Sequence, residues 1–153
     1  MVAFTVNSAW AVGAAGITYR LDNRGWNPVG SGQTNTLRAV SGTTAASVVA
    51  VGDAGTVVVW IDGQWRPARS GVDVALRDVI STPGLFIVGD KGTLLTTAAS
   101  PDTPLRKIDL RTDCDLLSVF ARGPDVFVVG RNVAGGGVWR IRDGAVAQHF
   151  GGC

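Results

Sequence analysis

The chain has 153 residues, and its 14 basic and 12 acidic residues leave a formal net charge of +2. Its arginines are dispersed among aspartates, and no apolar run approaches the ~20 residues of a membrane-spanning helix, so composition argues against nucleic-acid binding and against a transmembrane segment. Every acidic residue is an aspartate and 21 residues are glycine, which favours strands and tight turns over helices. We expect one all-β domain.

The first predicted unit covers strands near residues 2–6, 17–21 and 25–29, with Trp10 between the first two. Within it, Val12-Gly13 begins a sequence motif that is repeated at Gly52, Gly89 and Gly130, at spacings of 39, 37 and 41 residues. Self-similarity at periods of about 20 to 50 residues is typical of propellers and solenoids.

The second unit is the clearest copy, with strands predicted at residues 37–41, 47–51, 56–61 and 64–68. Asp62-Gly63 is a strong hairpin turn, because both residues tolerate positive φ. The last strand carries Pro67, which cannot donate to a strand ladder and therefore belongs at a sheet edge. Four antiparallel strands with the edge strand last are typical of a propeller blade.

The third and fourth units vary the same pattern. The third uses residues 76–80, 85–88 and 93–97, and residues 98–102 replace its hairpin. The fourth uses residues 116–120, 126–129, 138–141 and 146–150. Three consecutive glycines predict a mobile, protruding loop over residues 133–137.

Middle strands such as Val57-Val58-Val59 are apolar on both faces, so we expect each sheet to lie between two others. This predicts one β-propeller domain over residues 1–153, with four-stranded antiparallel blades at approximately residues 2–32, 37–71, 76–110 and 116–150. A solenoid of stacked hairpins is the structural rival. Three closures stay open: a compact four-bladed ring, a dimer of half-rings with eight blades, or a segment of a larger propeller.

The repeated motif resembles the repeats of a known class of propeller. Trp10-Ala11-Val12-Gly13, Gly55-Thr56, Trp60-Ile61-Asp62-Gly63-Gln64-Trp65 and Leu37-Arg38-Ala39-Val40 look like the tryptophan-rich repeats of bacterial, myxobacterial-type surface and secreted propellers. These are distantly similar to Asp-box and photosystem II assembly-factor propellers. The resemblance implies a binding or assembly platform outside the cytoplasm, although residues 1–6 lack the form of a signal peptide.

The residue types argue against an enzyme. A glycosidase on a propeller needs a pair of carboxyl groups, or a tyrosine–glutamate couple, and this chain has no glutamate and only Tyr19. The single histidine, His149, is expected on an exposed edge strand. We predict no catalytic residue, no cofactor and no metal.

Asp53 and Asp90 occupy equivalent Gly-Asp turns. They are interpreted as turn aspartates, or as partners of the repeated Arg38 and Arg77; a ring of such turns that holds a cation or polar ligand is the sharper alternative. Arg131 takes the matching place in the fourth unit and is a candidate ligand-binding residue beside them.

The five tryptophans are interpreted mainly as packing between blades. Trp26 and Trp65, on edge strands, are the best candidates for exposure and for stacking on a sugar. Cys114 and Cys153 hold matching places, and the sequence leaves open a disulfide or two free thiols.

Two functions follow as expectations. The first is a non-catalytic interaction or assembly module whose partner is another protein or a second copy of the chain, as a homodimer. The alternative is a lectin-like propeller that binds a glycan or a cation.

Overall fold

The computed structural model describes residues 1–82, 84–97 and 105–153. Within these ranges nearly all regular structure is β, and two 3-10 turns, Ala14–Gly16 and Asp53–Gly55, are the helical segments. The strands are β1 (Val2–Thr5), β2 (Ser8–Val12), β3 (Thr18–Asp22), β4 (Gly25–Pro28), β5 (Leu37–Thr44), β6 (Ser47–Gly52), β7 (Val57–Ile61), β8 (Gln64–Pro67), β9 (Leu76–Ile80), β10 (Phe86–Gly89), β11 (Thr93–Thr96), β12 (Arg106–Lys107), β13 (Asp115–Arg122), β14 (Asp125–Asn132), β15 (Gly135–Arg142) and β16 (Ala145–Gly151).

These strands form four separate antiparallel sheets in which chain neighbours are spatial neighbours. The first sheet is β1–β4, the second β5–β8, the third β9–β12 and the fourth β13–β16. This confirms the predicted β-propeller fold with four four-stranded blades. Pro67 lies in β8, the outer edge strand of the second sheet, where its missing N–H costs no ladder bond.

The core is divided into three clusters, each between two consecutive sheets. One joins the first sheet to the second around Trp10, one joins the second to the third around Val51 and Leu76, and one joins the third to the fourth around Leu94 and Trp139. In the described part of the chain, no core cluster joins the fourth sheet to the first. The four sheets therefore form an arc with an uncovered sheet face at each end.

A repeated turn fixes the spacing between sheets. Gly55 has φ +66, and its N–H donates a 2.7 Å hydrogen bond to Val74 O in the segment leading into the third sheet. A Cβ at Gly55 would lie 1.9 Å from Val72 O. Gly92 repeats the arrangement, with φ +63 and a hydrogen bond to Cys114 O. The second glycine of the motif, Gly55 or Gly92, is therefore required by the close approach of the next sheet's backbone.

The expanded fourth copy differs from its prediction. Instead of a protruding loop over residues 133–137, β14 and β15 continue to Asn132 and from Gly135, leaving a tight turn at Val133 and Ala134. Asn132 Oδ1 accepts hydrogen bonds from Ala134 N and Gly135 N, which supplies the turn geometry. The three glycines form the start of β15. A side chain at Gly137 would not fit, because Trp139 and Cys153 lie against this residue.

Cys114 and Cys153 form a disulfide, so the structure chooses between the two alternatives that the sequence left open. The predicted replacement of the third hairpin, residues 98–102, lies outside the described residues. Among the residues that are described, no helix has the length and apolar character needed to cross a membrane.

Candidate interaction surface

The boundary between the first and second sheets shows how a covered sheet face is built. Trp10 of β2 packs against Trp60 and Trp65 of the second sheet, with ring centroids 4.7 and 5.1 Å away. Trp65 Nε1 donates a 3.1 Å hydrogen bond to Thr18 Oγ1 on β3. The guanidinium of Arg20 lies over the Trp10 ring, 5.8 Å from its centroid. Aromatic contacts and a satisfied indole N–H thus hold the two sheets together.

In the part of the chain that the structure describes, no sheet packs in this way on the other side of the first sheet. We call it the leading face of the first sheet; it consists of Ala3, Ala9, Ala11, Tyr19, Leu21, Trp26 and Pro28, which strand pairing places on one side. Trp26 is 46% exposed there. Its position in the sheet matches that of Trp65, which is only 9% exposed because the first sheet covers it. Ala9, at the centre of the face, is only 3% exposed, but within the described residues no core cluster joins the leading face to another sheet.

The far side of the fourth sheet is also uncovered. We call it the trailing face of the fourth sheet; it consists of Phe120, Phe127, Val129, Val138, Arg140 and Phe150. Phe120 and Phe150 are each 63% exposed. The opposite side of the same strands carries Val126, Val128 and Trp139, which are buried against the third sheet. Large exposed apolar patches of this kind mark association surfaces on soluble proteins.

A group of three charged side chains borders the trailing face. Asp125 Oδ2 accepts hydrogen bonds of 2.8 Å from Arg140 and 2.7 Å from Arg142. Hydrogen bonds from Arg140 and then from Arg142 hold the pKa of Asp125 well below its usual value of 3.8. The Asp125 contact in turn raises the pKa of Arg142. This group stays charged through the neutral range and positions the Arg140 stem beside the phenylalanines.

The predicted ring of Gly-Asp turns is occupied by ion pairs. Asp53 accepts hydrogen bonds from Arg38, and Asp90 accepts one from Arg77. The hydrogen bond to Asp90 raises the pKa of Arg77. Arg131 is exposed on β14, paired across the ladder with Asp115. In the described ranges no group of three or more histidine, cysteine or acidic side chains could hold a metal ion.

The two candidate tryptophans have different environments. Trp26 is exposed, as its edge-strand position predicted, whereas Trp65 is buried and the expectation of its exposure was wrong. The reason is that Trp65 points towards the preceding sheet, where Trp10 and Thr18 lie against it. Trp26 lies in the first sheet, whereas Asp53, Asp90 and Arg131 belong to the second, third and fourth sheets.

Sequence reasoning missed the trailing face. The signal was present in the fourth unit, where Phe120 and Phe127 fall at positions that alternate with core residues. Because strand residues point alternately to opposite faces, these phenylalanines must face away from the third sheet. His149 was placed correctly on an exposed edge strand, and its ring stacks on Trp139 at 4.8 Å.

Comparison with known proteins supports the fold. No protein-family model and no curated protein match the chain. One solved structure, described as "YCF48 bound to D1 peptide", is similar with a TM-score of 0.65 at 20% sequence identity. The similarity covers 93% of this chain and 48% of the other, so this chain spans about half the length of that protein. At this identity the likeness is one of fold, and it places the chain among the β-propellers.

Proposed function

We propose that this chain is a non-catalytic β-propeller module that assembles with protein partners through its two uncovered end faces. One observation carries the proposal: the leading face of the first sheet and the trailing face of the fourth sheet are both largely apolar, and each carries exposed aromatic side chains, Trp26 on the first and Phe120 and Phe150 on the second. Burial of apolar surface is the main favourable contribution to most protein association. A partner that covers either face removes the exposed part of Trp26, or of Phe120 and Phe150, from water.

The solved structure of similar fold adds support for a protein partner. By its description, that protein is bound to a peptide. Function does not follow from fold, so the likeness serves here as an analogy and the end faces carry the argument.

The non-catalytic part of the proposal is supported by the state of the polar side chains. Asp53, Asp90 and Asp125 are each hydrogen-bonded to arginine, and the contacts with Arg140 and Arg142 hold the pKa of Asp125 below its usual value. A carboxyl group that acts as a general acid near pH 7 requires a pKa raised towards neutrality and is not held charged by an arginine. Hydrolysis by these carboxyl groups therefore has little support.

A lectin-like or cation-binding role is the weaker alternative. The aspartates that would hold a cation are paired with arginines, and Trp65 is covered by the first sheet. Trp26 remains as an exposed aromatic ring that could stack on a sugar.

Sedimentation over a concentration series from about 1 to 100 µM tests the main proposal. We expect a mass above that of one chain, and a return to the mass of one chain in the double variant Trp26→Asp, Phe120→Asp. Addition of calcium, and separately of a glycan panel, is expected to leave the melting temperature unchanged. A wild-type chain that stays strictly monomeric at the highest concentration contradicts the proposal, and a calcium or glycan shift favours the alternative.

A further inference from the structure

This inference rests on the function proposed above and names the partner of the end faces. It comes from a comparison of residues at equivalent positions in the first, second and fourth sheets. We infer that the trailing face of the fourth sheet docks on the leading face of the first sheet of a second copy, so that two four-sheet arcs associate head to tail.

The leading face has the form of a face that another sheet covers. In the second sheet, the register pairs Gly42 with Val48, Val48 with Trp60, and Trp60 with Trp65. In the first sheet, the same row is Ala3, Ala9, Leu21 and Trp26. The row of the second sheet is buried by the first sheet, and the row of the first sheet has no sheet over it. The two rows are equivalent in position but differ in cover.

The trailing face has the form of a face that covers another sheet. In the first sheet, the covering row is Val2, Trp10, Arg20 and Asn27. In the fourth sheet, the same row is Phe120, Phe127, Arg140 and Gln148. Trp10 and Phe127 stand three residues before the first glycine of their repeats, Gly13 and Gly130. The fourth sheet thus carries an aromatic ring and an arginine where the first sheet carries Trp10 and Arg20.

The trailing and leading faces can therefore pack on one another as the first sheet packs on the second sheet inside the chain. Trp10 contacts Trp60 and Trp65 where the first sheet meets the second. In the head-to-tail contact, Phe127 takes the place of Trp10 and faces Leu21 and Trp26 of the second copy. Phe127 is smaller than Trp10, and Leu21 is smaller than Trp60. Phe120 is larger than Val2, which it replaces, and so adds volume on the trailing face.

The geometry also explains why a second copy is a suitable occupant. The contact is heterologous, since a trailing face meets a leading face, and such contacts give closed rings when the rotation between copies closes. Two copies supply two trailing and two leading faces, so a closed pair leaves neither kind exposed. The chain spans 48% of the solved propeller that it resembles, so two arcs together approach the length of that one chain.

A complementation experiment tests this pairing. Trp26→Asp blocks the leading face, and Phe120→Asp blocks the trailing face; Trp26 is 46% exposed and Phe120 is 63% exposed, so each variant is expected to fold. Phe150→Asp is an independent trailing-face variant, and Val133→Asp, in the exposed turn between β14 and β15, is the control. Circular dichroism and thermal melting check that each variant retains the fold.

We expect the wild type and Val133→Asp to sediment as dimers and each face variant alone to sediment as one chain. An equimolar mixture of Trp26→Asp with Phe120→Asp, or with Phe150→Asp, should recover a dimer, because one intact leading face meets one intact trailing face. That dimer has one contact instead of two and should dissociate at a higher concentration than the wild type.

The other outcomes separate the two proposals. If variants of one face become monomeric while those of the other face still dimerise, or if the mixture stays monomeric while the wild type dimerises, the head-to-tail pairing is wrong, and assembly through an end face stands. If the wild type is monomeric at every concentration, or if no face variant alters its association, both proposals are wrong.

Discussion

Trp65 and Thr18 are joined by a hydrogen bond across the boundary between the first two sheets, from the indole Nε1 to the hydroxyl Oγ1 at 3.1 Å. The same hydroxyl donates to Val29 O in its own sheet. Thr18 is thus both a donor within the first sheet and an acceptor for the second, at a site that is almost fully buried. Packing between blades is therefore combined here with a specific polar contact.

Substitution of Thr18→Val should destabilise the chain. The valine has a similar shape but leaves the indole N–H of Trp65 without its acceptor, and a buried unsatisfied donor costs about 1 to 3 kcal/mol. Urea unfolding followed by tryptophan fluorescence measures the change. Thr34→Val, at an exposed position, is the matched control. Equal midpoints for the two variants would show that the hydrogen bond contributes nothing.

Substitution of Gly55→Ala should be more damaging than Gly63→Ala. Both glycines have positive φ, +66 and +76, so both variants carry the backbone strain of about 1 to 2 kcal/mol. Only at Gly55 does the new Cβ meet backbone, 1.9 Å from Val72 O, whereas nothing lies within 4 Å at Gly63. Thermal melting of the two variants separates the close approach from the strain. A smaller loss for Gly55→Ala would contradict the close approach of the two sheets.

Stability should fall in acid partly because of Asp125. Its pKa is lower in the folded chain than its usual value of 3.8, so its contribution is complete above about pH 5 and is lost as the pH falls through the lowered folded value. The melting temperature of Asp125→Asn should consequently depend less on pH between about pH 5 and pH 2 than that of the wild type. Asp73→Asn, at an exposed position, is the control. Parallel profiles for all three proteins would remove Asp125 from the explanation.

Reduction of the disulfide should destabilise the isolated chain. Cys114 and Cys153 are separated by 39 residues, and closure of a loop of that length restricts the unfolded chain by about 4 kcal/mol in the entropic description. Urea midpoints with and without a thiol reductant measure the difference. Cys153→Ser should behave like the reduced wild type and should not respond to reductant. Identical midpoints for the oxidised and reduced wild type would contradict this expectation.

Substitution of Val138→Thr should strengthen the proposed head-to-tail contact. Val138 pairs with Val129 as Thr18 pairs with Val12, so it holds the place of the hydroxyl that accepts from Trp65 at the internal boundary. A threonine there offers an acceptor to Trp26 of the second copy, worth about 1 kcal/mol, or roughly a fivefold change in affinity, for each contact. Sedimentation of the diluted variant, compared with Val133→Thr, measures it. Unchanged or weaker association would count against the register in which the faces are docked.

The sequence predicted the repeated features well because they are local. Gly52 and Gly89 mark turns after short apolar strands, and Asp62-Gly63 is a hairpin signal over adjacent residues. Turn chemistry and strand alternation need no knowledge of distant contacts. The four sheets and the order of their strands follow from those signals.

The errors concern contacts between distant residues. Trp65 lies on an edge strand, which predicted exposure, yet Thr18, 47 residues earlier, covers it. The glycines near residue 136 predicted a loose loop, but the Asn132 turn and Cys153 against Gly137 order them as strand. The disulfide joins residues 39 positions apart, and the trailing face depends on which sheet is the neighbour; a local pattern contains neither kind of information.

The disulfide has a mechanical consequence for the fourth sheet. Cys114 immediately precedes β13, at one side of this sheet, and Cys153 follows β16, at the opposite side. Tension applied at Cys153 is therefore transmitted through the bridge to Cys114, instead of peeling β16 from its single neighbour. With the bridge intact, β13–β16 lie inside the covalent loop and should bear no load from that end, whereas after reduction the sheet should unzip from β16 inwards.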